Sequence, residues 1–140
     1  MKTIEATIFV EPIAKGRPKA TNFGGHARLY TPAKTRKSEA EIVASIRQEL
    51  RDNFNAFDKD MPLFLLATFF IPKPASTSKK VLHPVKRPDL DNYAKTLLDA
   101  LNHYIFPDDS QIVSMRVRKA FGSPPRIELL IREVVGSNPS

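Results

Sequence analysis

The sequence of 140 residues contains no cysteine and no apolar run long enough to cross a membrane. Without cysteine the chain has no disulfide bond, no zinc–thiolate site and no thiol nucleophile, which is consistent with a reducing compartment. A membrane-spanning helix needs about 20 consecutive apolar residues. The short apolar run at residues 4–10 is interrupted by Glu5 and lacks a small-residue cleavage site, so it does not resemble a secretory signal. We therefore expect a cytoplasmic protein with no membrane partner.

Several common enzyme motifs are absent as well, and acidic residues are in the minority. The sequence has no internal repeat, no Gly-rich nucleotide-binding loop and no Ser/His/Asp arrangement of recognisable spacing. Its 15 acidic residues are outnumbered by 22 lysines and arginines, which gives a net charge of +7. Because each phosphate contact releases condensed counterions, this charge favours a polyanionic partner.

The basic residues are concentrated in two segments. Residues 12–37 contain no acid and include glycines and aromatic residues, and residues 72–88 combine basic residues with prolines and serines. A charge run is commonly only a solvated surface, but an acid-free run of this length favours contact with phosphates. We interpret both segments as loops and expect them to contact phosphates through Lys15, Arg17, Lys19, Lys86 and Arg87. Charge alone does not distinguish DNA from RNA or from a membrane surface.

Hydrophobic periodicity predicts one α/β (α+β) domain over residues 1–135, followed by a flexible tail at residues 136–140. A strand is predicted in residues 4–10 and an amphipathic helix over about residues 32–51. Leu63–Ile71 is almost uniformly apolar, which predicts a central strand covered on both faces, and residues 113–131 predict a closing β-hairpin. We expect a mixed sheet of about four strands packed by two main helices.

Two groups of carboxylates lie at the ends of one amphipathic segment. Asp89 and Asp91 stand where a helix is predicted to begin, because apolar residues follow them at helical spacing. A second pair, Asp108 and Asp109, precedes the next predicted strand, and we expect it to fold back beside the first pair. Hard divalent cations such as Mg²⁺ prefer oxygen ligands of this kind.

Lys95 lies four residues after Asp91, on the same face of the predicted helix, where it can pair with the carboxylates or with a substrate phosphate. Asp99 is expected to pair with Lys95 or to cap a neighbouring strand. A purely structural interpretation is also open, because aspartates commonly cap helices and form turns. A calcium-binding loop that begins at Asp89 is excluded. Its sixth and twelfth positions, normally Gly and Glu, would be Ala94 and Ala100.

The two carboxylate motifs in tandem, RPDLDNYAKTLLDALN followed by PDDSQIV, resemble the signature of the RusA family of Holliday junction resolvases. The resemblance covers most of the chain. It implies that Asp89, Asp91 and Asp109 form a metal-binding catalytic triad and that Lys95 is also needed. It further implies Mg²⁺ as cofactor, with Mn²⁺ as an alternative, and a homodimer that binds branched DNA, of a kind often carried by phages and prophages.

The first hypothesis is therefore a Mg²⁺-dependent, structure-selective endodeoxyribonuclease that resolves four-way junctions in recombination and repair. Cutting two strands of like polarity at symmetry-related positions suits a twofold homodimer with one site per subunit. The second hypothesis is a non-catalytic basic nucleic-acid-binding module, and a third is a phosphoryl-transfer enzyme acting on small nucleotides. Candidates for the dimer surface are the strand Leu63–Ile71 and the aromatic residues Phe54 and Phe57.

Overall fold

A computed structural model describes the backbone of residues 2–15, 19–23, 26–30 and 33–136, and the side chains of residues 2–15 and 36–136. Short 3₁₀ turns lie at Arg51–Asn53 and Asp109–Gln111. The strands are β1 (Thr3–Ile8), β2 (Lys19–Phe23), β3 (His26–Tyr30), β4 (Leu63–Ile71), β5 (Ile112–Phe121) and β6 (Arg126–Glu133), and the helices are α1 (Ala33–Glu49) and α2 (Leu90–Leu101).

Four strands form one mixed sheet in the order β1-β6-β4-β5. β4 pairs antiparallel with β6 and parallel with β5, and β1 pairs antiparallel with β6. The prediction of a single α+β domain with a mixed four-stranded sheet and two helices is confirmed. β4 occupies an interior position, as its nearly continuous apolar sequence predicts.

The prediction that β5 and β6 form a hairpin is wrong, because β4 lies between them. The connection crosses the end of β4, where the Gly122 amide donates to the Ile71 carbonyl at 3.0 Å. A Cβ at Gly122 would lie 2.5 Å from Cδ1 of Phe70, so only glycine fits this crossing without displacing the ring. The alternating sequences of two strands do not reveal whether a third strand pairs between them.

The helices cover one face of the sheet. Ile46 from α1, Leu50 directly after it, and Leu97 and Leu101 from α2 are buried in one cluster with the strand residues of that face, including Leu65 and Phe69. Residues of the opposite parity in β4, such as Phe64 and Leu66, remain half-buried. The apolar sequence of β4 predicted a strand covered on both faces. Within the protomer the helices cover one of these faces.

Part of the segment predicted as a basic loop is a strand pair. β2 and β3 pair antiparallel from Lys19↔Tyr30 to Phe23↔His26 and form a separate two-stranded sheet. The sequence does carry a hairpin signal here, because Gly24 and Gly25 separate two runs of five residues. The loop interpretation of residues 12–37 is therefore wrong for ten of its positions, five in each strand.

α1 agrees with the helix predicted over about residues 32–51. Phe57 is buried in the core and is removed as a candidate for a dimer surface, whereas Phe54 is exposed and contacts Tyr104 edge-on. Neither described helix combines the length and apolar character that crossing a bilayer requires. Apart from Gly136, the predicted tail lies outside the described residues.

Candidate active site

The first carboxylate pair stands at the start of α2. Asp89 is the N-cap residue of this helix, with an extended backbone, but its carboxylate makes no capping hydrogen bond. Asp91 lies in the first turn and is exposed. The free amide groups and the positive dipole end of a helix make its first turn a favourable place for negative charge. Capping therefore does not account for the Asp89 side chain.

The backbone that leads into α2 is held by Lys119, near the end of β5. Its Nζ donates to the carbonyl oxygens of Lys86 and Pro88, each at 2.9 Å. Strand alternation places Lys119 on the helix-covered face of β5, opposite to the face of Arg116 and Arg118. Lys119 thus fixes the position of the segment that presents Asp89.

Lys15 docks the segment after β1 onto α2. Its amide donates to the Asn92 carbonyl at 2.9 Å, and its Nζ lies 2.5 Å from Oδ2 of Asp99. The hydrogen bond from Lys15 to Asp99 raises the lysine pKa, so the ammonium stays charged. Asp99 therefore pairs with Lys15, and the expectation that it pairs with Lys95 or caps a strand is wrong.

A groove of about 280 Å³ connects predicted DNA-binding residues with a predicted metal ligand. Lys15 and Arg87 line it together with Asp89, and Ala14, Pro88 and Asn92 complete its walls. Lys86 is exposed beside this groove. Arg17, and the side chain of Lys19, lie outside the described residues.

Lys95 is exposed one turn beyond Asp91. Across residues 2–15 and 36–136, no carboxylate lies within 4.0 Å of its ammonium group in an ion pair. Helical spacing alone therefore does not produce a contact with Asp91. The ammonium group is accessible to an external anion.

The two aspartates of the second carboxylate pair make different contacts. Asp108 caps the 3₁₀ turn, where Oδ1 accepts from the Ser110 amide at 3.0 Å, and this bond lowers the pKa of Asp108. The side chain of Gln111 completes the capping box by accepting from the Asp108 amide at 3.1 Å. The Asp109 amide donates to Oδ1 of Asn102 at 2.9 Å. The interpretation that these aspartates cap helices and form turns is therefore correct for Asp108.

Sequence reasoning missed two side chains that position this turn. Gln111 is nearly buried, and its Nε2 donates to the carbonyls of Asp58 and Met61 at 2.9 and 3.1 Å. Asn102 is the C-cap residue of α2. A buried amide in a polar motif such as DDSQ is a signal for an anchoring role, because buried polar groups require partners.

The two carboxylate pairs lie at opposite ends of α2. Asp89 and Asp91 are at its N-terminus, and Asp109 is bonded to Asn102 at its C-terminus. A 12-residue helix is roughly 18 Å long. Within the described part of the chain, no three His, Cys, Asp or Glu side chains are close enough to hold one metal ion. The second pair therefore does not fold back beside the first within a protomer.

Comparison with known proteins identifies a family model and two relatives that each match more than half of the chain. Residues 10–132 match the family model described as Endodeoxyribonuclease RusA. The chain is 36% identical to the Uncharacterized protein YqaN of Bacillus subtilis (strain 168) over 96% of its length and 99% of that protein. It is also 39% identical to the Crossover junction endodeoxyribonuclease rusA of Lactococcus phage r1t, over 64% of its length and 70% of the phage protein.

Proposed function

Because the chain belongs to the RusA endodeoxyribonuclease family, we propose that it resolves four-way (Holliday) DNA junctions by paired symmetric nicks, in recombination and repair, with Mg²⁺ as its cofactor. The observation that carries this proposal is the start of α2. There Asp89 occupies the N-cap position of α2, and Asp91 and Lys95 are exposed on the turns that follow. A module that only binds nucleic acid has no need of this arrangement.

The donor set at α2 fits a hard divalent cation. Mg²⁺, or Mn²⁺ in its place, is commonly held by one or two carboxylates together with water and substrate phosphate. Asp89 and Asp91 would supply the first carboxylates, and Asp109 is the proposed third ligand. When bound, the cation activates water for attack and stabilises the charge that develops on the scissile phosphate.

The protein's own side chains hold and orient the substrate. Lys95 faces the scissile phosphate and offsets its developing charge. Lys86, Arg87 and Lys15, with Arg17 and Lys19, hold the flanking phosphates. Such contacts position DNA without reading its sequence, so the shape of the branched junction supplies the selectivity.

The distance between the carboxylate pairs makes the homodimer part of the site. β5 is ten residues long and lies at the edge of the sheet. Val113 and Met115 are 57% and 45% exposed, and Met115 pairs with the buried Leu65 of β4, on the helix-covered side. A long edge strand with exposed apolar side chains is a template for pairing with another chain. We assign this edge as the dimer surface.

Antiparallel pairing of β5 with its copy is best centred on Met115. Val113 then lies opposite Val117 of the partner subunit, which makes an apolar row, and Arg116 lies opposite Ser114 of the partner subunit. Centring the pair on Arg116 would instead place two arginines directly opposite each other, which is destabilising. Charge and apolar matching therefore favour the register centred on Met115 over the one centred on Arg116.

This dimer completes the carboxylate set. The twofold axis reverses β5 and α2, so the end that carries Asp109 in one protomer lies beside the end that carries Asp89 and Asp91 in the other. Each site then takes two carboxylates from one subunit and one from its partner. The strand Leu63–Ile71 is interior and does not form this edge.

The proposal is tested by Asp91→Asn, which keeps the size of the side chain and removes its charge. We expect the variant to bind a synthetic four-way junction with nearly wild-type affinity and to lose cleavage in saturating Mg²⁺. The matched control is Asp99→Asn, on the same helix but paired with Lys15. Wild-type cleavage by Asp91→Asn would refute the assignment of the site.

A further inference from the structure

A second groove opens beside the start of α2 in the proline-rich segment of residues 71–87. It has a volume of about 350 Å³, and Phe121, Ile71 and Val85 contribute apolar walls. Ser78 and His83 add polar groups. A volume of this order lies at the lower end of the range for small-ligand sites. It is large enough for a planar ring system.

The groove is held open by bonds from lysine side chains to the backbone. Nζ of Lys73 donates to the Val81 carbonyl at 2.7 Å and lies 5.6 Å from the centre of the Phe121 ring. Lys119 holds the far end of the segment through the carbonyls of Lys86 and Pro88. The walls are therefore formed before any ligand arrives.

The groove is continuous with the proposed catalytic site. Arg87 lines both this groove and the smaller one that contains Asp89. Lys86 also lines the apolar groove, and residues 72–88 contain no aspartate or glutamate. A DNA strand whose phosphate lies at Asp89 thus has its neighbouring phosphate near Lys86 and Arg87, and its neighbouring base near Phe121.

We propose that this groove binds one unpaired DNA base adjacent to the scissile phosphate, an inference that rests on the proposed function. The faces of a base are apolar and its edges carry donors and acceptors, which matches walls of Phe121 and Val85 with Ser78 and His83 nearby. A base inside a duplex cannot reach such a groove and must leave its stack first. The base at the branch of a junction is the one with the lowest cost of unstacking.

The test uses four-way junctions in which one nucleotide at a time, within about three of the cut, is replaced by an abasic residue. Single-turnover cleavage by the full-length protein is measured in Mg²⁺. We expect one position at which the abasic residue slows the wild-type protein by about 5- to 150-fold, the range that corresponds to loss of a base stacked on an aromatic ring. At the other positions we expect little change.

Two variants connect that loss to the groove. Phe121→Leu removes the ring, and Val85→Ser alters a wall residue that is 81% exposed and whose replacement leaves the core intact. Both should cut the intact junction more slowly and lose most of their sensitivity to the abasic position. The control is Leu82→Ser, which changes a 73% exposed residue of the same segment that does not line the groove and should behave as wild type.

The outcomes separate this inference from the proposed function. If the wild-type protein cuts every abasic junction at the normal rate, the base site is refuted and the nuclease assignment stands. If both variants retain the full sensitivity of the wild type to the abasic position, the base lies elsewhere and the groove assignment is wrong. If no intact junction is cut, the proposed function itself fails.

Discussion

A site shared between two subunits has a consequence that a site within one subunit cannot produce. Asp91→Asn and Asp109→Asn should each inactivate the homodimer when made alone. In a heterodimer of the two variants, one site contains both substitutions. The other combines Asp91 of the Asp109→Asn subunit with Asp109 of the Asp91→Asn subunit, and is intact. Mixing two inactive proteins should therefore restore cleavage.

The expected magnitude follows from counting sites. A heterodimer isolated with two different affinity tags has one intact site of two, so we expect about half of the wild-type nicking rate per dimer and almost no paired cutting. A mixture with random exchange contains heterodimers as about half of its dimers, which leaves about a quarter of the sites intact. If each site lies within one protomer, the heterodimer has no intact site at all.

The assay is the conversion of a labelled four-way junction to nicked and to fully resolved products in saturating Mg²⁺. A single nick without resolution is the signature of one intact site. Dimer register is checked independently with Met115→Cys, which should form an intersubunit disulfide on mild oxidation because the native chain has no cysteine. Thr3→Cys, exposed on β1 at the opposite edge of the sheet, should not. A crosslinked, folded heterodimer that makes no nick would refute the shared site.

Two further predictions concern single side chains. Lys95→Ala should lower the cleavage rate by about tenfold or more with little change in Tm, because the substitution removes a contact with the reacting phosphate and breaks no ion pair. An early-melting variant that cleaves normally would show that the role of Lys95 is structural. Asp108→Ala should lower Tm at pH 7 yet retain cleavage, whereas Asp109→Ala should retain Tm and lose cleavage. The pKa of Asp108 is lowered from 3.8, so its contribution to stability is present above that pH and is lost as the pH falls through the lowered value. The Tm difference between Asp108→Ala and wild type, followed by thermal melts from pH 7 to pH 2, should therefore vanish at the acid end.

Local patterns in the sequence predicted the elements that carry the site. The apolar spacing after Asp89 gave the start of α2 to within one residue, and the run Leu63–Ile71 gave an interior strand. These features depend on neighbours within one or two helical turns or on burial of a whole segment. The carboxylates at the start of α2 could therefore be located without the structure.

Features that depend on distant parts of the chain could not be predicted in this way. Nothing near β5 and β6 in sequence indicates that β4 separates them. The bonds from Lys119 to Lys86 and Pro88, and from Gln111 to Asp58 and Met61, join residues separated by 31 to 53 positions. Each is a side chain that binds a backbone carbonyl, a contact that leaves no pattern in the partner's sequence.

The topology explains why the two aspartate motifs cannot meet within a protomer. β4 and β5 are parallel, so α2 must run back along the sheet to connect them. Its N-terminus therefore lies at the end of the strands where Lys119 holds the Pro88 carbonyl, and its C-terminus lies where β5 begins. Motifs that flank such a helix are kept apart by its full length, whatever their side chains. In the dimer that we propose, a second subunit running in the opposite direction would bring them together. Because β5 is the edge strand beside α2, its pairing with its own copy would also align Asp109 with the opposing Asp89. In this proposed arrangement a protomer that left its partner would lose a metal ligand, so cutting would be confined to the dimer that can place two nicks symmetrically across a junction.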